Sequence, residues 1–124
     1  LKQSQIKSWQ RLDNAAKIFP PTSSLKDTKV FRFACELYES VEPISLQAAL
    51  DSTMEHFPFY RSVLKKGVFW YYFEQSSLKP KVTKESLSPC APIYSGEGRE
   101  LLFRVTYFQR RISLEVYHAL SDGT

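Results

Sequence analysis

The sequence is short of the residues that hold a small fold together without a core. Its two cysteines, Cys35 and Cys90, stand far apart, and with two histidines and no CxxC pair the chain offers no zinc-site spacing. Cys35 sits inside an apolar strand pattern and is expected as a reduced core thiol. Only four glycines in 124 residues, with 24% charged and 43% hydrophobic positions, exclude collagen-like and disordered classes. Long apolar runs are missing too. The longest, VFWYYF, is far too short to span a bilayer, and the opening LKQSQIKSWQ has no apolar leader core. A soluble, cytoplasmic protein without a membrane span is expected. The first residue is Leu1, so a chain trimmed at its front is expected as well. The net charge of +4 is a mild excess spread along the chain, which gives little reason to expect a nucleic-acid partner.

At 124 residues the chain fits one domain that can bury about two thirds of its unfolded surface. Ile6, Trp9, Leu12 and Ala16 recur at helical steps before Pro20 and Pro21, which predicts a first helix. In TKVFRFACELYES the alternation predicts a strand with Phe31, Phe33, Cys35 and Leu37 on its apolar face. Pro43, a cap at Ser45 and the stripe Leu46, Ala49, Leu50, Thr53, Met54, Phe57 predict a second helix that ends before Pro58. GVFWYYFE predicts a strand that is bulky on both faces and so lies inside a sheet. Residues 75–99 read as a long connection. RELLFRVTYFQRRISLEVYH then predicts a hairpin turning near Gln109 to Arg111, with Leu114, Val116 and His118 sharing a face. Helix, strand, helix, strand, loop, hairpin, with no internal repeat, predicts an α+β sandwich with helices on a mixed or antiparallel sheet.

The hairpin's second strand ends on HALSDG. Asp at +4 and Gly at +5 from a histidine arise by chance in roughly 1% of chains with so few histidines. The chemistry fits the spacing, because a neutral imidazole at a strand end can take up a proton near neutral pH. His118, Asp122 and Gly123 resemble the HxxxDG signature of the chloramphenicol acetyltransferase-like superfamily. LDNAAKIFP, FPFYRSVLKKGVFWYYFE and SPCAPI, in that order before the motif, resemble the N-terminal half of alcohol O-acetyltransferase-type members, over essentially all of residues 1–124.

The resemblance implies a chloramphenicol acetyltransferase-like two-layer sandwich of which this chain is the N-terminal lobe, with a C-terminal lobe to follow and the fragment inactive alone. It implies transfer of an acetyl or short acyl group from acetyl-CoA or another acyl-CoA, a co-substrate rather than a tightly bound cofactor, to a small-molecule alcohol. His118 would be the general base. Asp122 would be structural, paired with Arg61, which follows FPFY, or with Arg104. Gly123 would leave backbone room beside the substrate. No cofactor-binding or metal residue follows from it. Tyr117 stands where condensation domains usually carry a first histidine, which favours the alcohol branch over acyl transfer from a carrier protein.

Rival readings exist. The same fold can serve as a catalytically inactive binding module, and Asp122-Gly123 can be a plain turn. KGVFWYYF is also similar to an RNA-recognition strand in which alternate aromatics stack bases, but Val68 and Phe69 break that pattern. His56, near the predicted helix end, reads as a solvated side chain that suits the helix dipole.

Overall fold

The computed structural model describes residues 9–11 and 27–122. Strand β1 (Trp9–Arg11) is followed by β2 (Val30–Glu36), helix α1 (Pro43–His56) and a 3-10 turn (Pro58–Arg61). Then come β3 (Ser62–Lys66), β4 (Tyr71–Gln75), β5 (Thr83–Lys84), β6 (Phe103–Phe108), β7 (Arg111–Tyr117) and a short helix α2 (His118–Asp122). Two sheets result: an antiparallel one in the order β1-β4-β3, and a mixed one in the order β2-β7-β6-β5 with β5 parallel to β6. The class is α+β with a mixed sheet, as the element order predicts. Among the described residues no helix is long and apolar enough to cross a membrane.

One apolar core joins the elements. Leu50 and Met54 of α1 share it with Leu64 and Phe73 of the three-stranded sheet, with Phe103, Val105 and Val116 of the mixed sheet, and with Ala119 and Leu120 of α2. Edge-to-face rings connect the layers, Phe59 on Phe73 at 5.2 Å and Tyr60 on Phe103 at 5.8 Å. Of the predicted stripe on α1, Leu46, Leu50 and Met54 face the core, whereas Ala49, Thr53 and Phe57 are exposed and Phe57 lies just past the helix end. The N-cap of α1 is Glu42 and not Ser45: the Glu42 carboxylate accepts the Ser45 N–H at 2.7 Å, with Pro43 pre-set in the first turn.

Several expectations change. The helix predicted from Ile6 to Ala16 falls mostly outside the described residues, and the part inside, Trp9–Arg11, is a strand laid on the free edge of β4. Satisfying that edge's backbone groups outweighs a weak helical spacing. β4 lies inside its sheet, as GVFWYYFE predicts, but begins only at Tyr71, because Val68 to Trp70 form the turn from β3. β3 itself, SVLKK, is too short and too basic at its end to stand out as a strand. The connection 75–99 holds β5, whose two residues pair in parallel with Thr106 and Tyr107.

The largest change concerns β2. Its predicted apolar face is open: Phe33 is 62% exposed, and Phe31 and Cys35 are exposed too. Cys35 is a free thiol as expected, but it is not in the core. β2 forms the sheet's edge, whereas the core is centred on β6 and β7. On the other side of β2 Val30 and Arg32 are partly covered while Ala34 and Glu36 are exposed, and the reason Arg32 is covered lies across the sheet. Arg32, Glu115 and Arg104 occupy one row of paired positions on β2, β7 and β6. Glu115 accepts Arg104 Nε at 2.5 Å, and an Arg32 guanidinium nitrogen at 3.0 Å together with the Cys90 N–H at 2.5 Å. Glu85 joins Arg32 to Arg111 at 2.7 and 2.6 Å. A charge row of alternating sign thus covers the face of the sheet away from the apolar core.

Candidate active site

His118 is the first residue after β7. The register sets it there: Val30 pairs with Tyr117 and Phe31 with Val116, so the strand's last pairing hands His118 to the backbone of Lys29. The His118 N–H donates to the Lys29 carbonyl at 2.6 Å, which pins the main chain just as it turns into α2. Burial of Ala119 and Leu120 holds that turn in the core.

The imidazole lies on the apolar side of the mixed sheet, with its centroid 4.7 Å from that of Phe31 and the rings tilted by 49°. The residue is half-buried, and its Nδ1 is shut off from solvent. A ring fixed by its main chain, leaning on an aromatic and partly open, can exchange a proton with a hydroxyl brought against it. The sequence places Phe31 only on the apolar face of its strand. The alternation that placed it on one face with its neighbours could have paired it with His118, had the register been known.

Tyr117 points the other way and is fully buried. Its ring lies 5.3 Å from Tyr94, and its N–H donates to the Leu102 carbonyl at 2.8 Å. Burial pushes the Tyr94 hydroxyl up to about 12, with Tyr71, Tyr117 and Glu100 adding to the shift. The folded value lies above the ordinary 10, so this group's contribution is complete below pH 10 and is lost as pH rises towards 12. In an alkaline melting series Tyr94→Phe should decline less steeply than the wild type above pH 10; parallel curves would show that Tyr94 ionises as freely as in the unfolded chain.

The remaining site residues are not all brought together. Asp122 closes α2, but its side chain and Gly123 lie outside the described residues. Arg61 ends the 3-10 turn, half-buried, with a buried Nε that has no hydrogen-bond partner among the described residues. Arg104 is committed elsewhere: besides Glu115 it donates to the Ala91 carbonyl at 2.5 Å. His56 is exposed at the end of α1, its Nδ1 3.1 Å from the Ser52 carbonyl oxygen, in keeping with a solvated role. A cavity of about 50 Å³ lined by Arg32, Glu85, Arg104, Thr106 and Glu115 belongs to the charge row, on the opposite face of the sheet from His118.

No family model matches the chain, and no curated protein matches it in sequence. Among solved structures it is similar to the starter condensation domain of rhizomide synthetase RzmA, with a TM-score of 0.63 and 12% identity over 90% of this chain. At that identity the likeness is one of fold. The chain spans about a third of that structure's chain, 32% of its length.

Proposed function

We propose that the chain carries the acceptor-activating part of an acyltransferase in which His118 is the general base. The observation behind this is the half-open His118 ring at the junction of β7 and α2, held by the Lys29 carbonyl and Phe31 on a condensation-domain fold. In this reading an acceptor hydroxyl gives its proton to the imidazole while its oxygen attacks the carbonyl carbon of an acyl-CoA. The tetrahedral oxyanion collapses, the C–S bond breaks, and the thiolate leaves with the proton returned by the imidazolium, giving an ester and free CoA. No acyl-enzyme forms, so both substrates must be bound together.

Asp122 pairs with Arg61 in this proposal and fixes the turn after His118, with Gly123 leaving room for the substrate. The buried Arg61 Nε, without a partner among the described residues, supports that pairing. A second lobe supplies the rest of the acyl-CoA site. The alcohol is the preferred acceptor because Tyr117 stands where a condensation domain would carry its first histidine. A second reading, acyl transfer from a carrier protein, draws support from the condensation-domain likeness.

Incubating the full-length protein with acetyl-CoA and a panel of alcohols, and measuring free thiol, tests the first reading. Thiol release that requires an alcohol, with no burst before steady state, is expected. Release only from an acyl carrier protein would move the assignment to the second reading. Absence of transfer from either donor would leave a binding module.

A further inference from the structure

The hairpin between β3 and β4 ends in apolar side chains that the fold does not cover. Val68 is 90% and Phe69 83% exposed, at the two central positions of a turn closed by the Gly67 N–H to the Trp70 carbonyl at 2.8 Å. The closure is tight: a side chain at Gly67 would set its first carbon 2.9 Å from that same carbonyl oxygen. Phe69 and Trp70 brace each other, with ring centroids 6.0 Å apart. The tip is thus a shaped apolar finger, at positions where turns ordinarily carry polar residues.

Within the hairpin itself the charge is of one sign. From Ser62 to Phe73 the only ionisable cations or anions at neutral pH are Lys65 and Lys66, set across the ladder from Tyr72 and Tyr71. The nearest acid on β4, Glu74, pairs with Val63 towards the far end of the hairpin. The loop that approaches Lys65 through Gly98 carries Glu97, Arg99 and Glu100, and the Glu100 carboxylate is taken up by the Ser95 and Arg99 N–H groups.

We propose that this hairpin tip docks into an anionic lipid surface. Val68 and Phe69 would enter the acyl boundary, Trp70 and Tyr72 would sit at headgroup level, and the two lysines would meet lipid phosphates and carboxylates. Apolar insertion, an aromatic belt and a flanking basic pair are the three features that interfacial anchoring requires. A protein partner is disfavoured by size, since specific interfaces bury on the order of 800 Å² per side and this finger offers two fully exposed apolar residues. The inference stands apart from the acyl-transfer reading.

Co-sedimentation of the chain with vesicles of phosphatidylcholine, with and without phosphatidylserine, tests it. Binding to the anionic vesicles alone is expected. In a Trp9→Phe background, where Trp70 is the remaining tryptophan, its emission should shift to the blue on binding. Val68→Ser with Phe69→Ser should weaken binding by at least about tenfold. Each of Lys65→Gln and Lys66→Gln should cost about fivefold, equivalent to ~1 kcal/mol per basic residue at such a surface. Unaltered melting of the serine variant confirms that the fold survives. Equal association with both vesicle types, or full binding by the serine variant, would overturn the proposal. So would a concentration-dependent dimer lost on Phe69→Ser, which would give the tip to a second copy.

Discussion

Replacing Glu115 by glutamine should destabilise the protein by about 3 kcal/mol, near the lower end of what breaking a buried ion pair costs. Glu115 is 3% exposed and receives Arg104, Arg32 and the Cys90 N–H. The amide keeps the shape but loses the charge, and it turns an N–H₂ group towards donors. Arg104 then keeps only carbonyl partners, while Arg32 keeps only Glu85. The lower end of the range applies because both arginine side chains retain some solvent, 18% and 20%. For a domain of this size the melting temperature should fall on the order of 10 °C.

The pH dependence gives the same prediction a sign. Burial alone would raise the Glu115 carboxyl, but the Cys90 amide and the two guanidinium groups outweigh it and hold the group below its ordinary 4.5. The Arg111 hydrogen bond lowers Glu85 likewise, against burial and with help from Arg32. A depressed folded value means that the contribution is complete above pH 4.5 and is lost as pH falls through the lower folded value. Melting curves of wild type and Glu115→Gln should therefore lie far apart at neutral pH and converge in acid. A separation that stays small throughout would show that the charge row contributes nothing net.

That row also marks the limit of what the sequence made legible. The hairpin, the helix on Pro43 and, of its predicted stripe, the inward Leu46, Leu50 and Met54 follow from periodicity because each element's own residues decide them. The covering of Arg32 on β2 does not. VFRFACE displays Phe31 and Phe33 as its apolar side, and only the pairing of Arg32 with Glu115 shows why Arg32 is partly covered while Phe31 and Phe33 are exposed. A signal was present: Arg32, Arg104 and Glu115 each interrupt the middle of an apolar strand, with complementary signs, which points to one row across three strands. β3 and β5 escaped because strands of five and two residues carry too few alternations. Of the site, His118 and its place after a strand could be read directly. Its neighbours Phe31 and Lys29 could not, because they come from the far end of the chain through the sheet register.

Loss of His118 should have the largest effect on activity. His118→Asn keeps the main-chain bond to Lys29, since that bond uses the backbone N–H, and it keeps a planar side chain beside Phe31. It removes the group that can hold a proton. General-base catalysis contributes about a hundredfold to ten-thousandfold, so acyl transfer should fall by that factor while melting changes little.

The decisive measurement is acyl transfer by full-length His118→Asn beside wild type, with melting recorded for both. Transfer reduced at least a hundredfold in a variant that melts like the wild type is the predicted result, on the scale of a lost general base. Undiminished turnover in the folded variant would show that the proton goes elsewhere and that His118 is only a residue at the end of a strand.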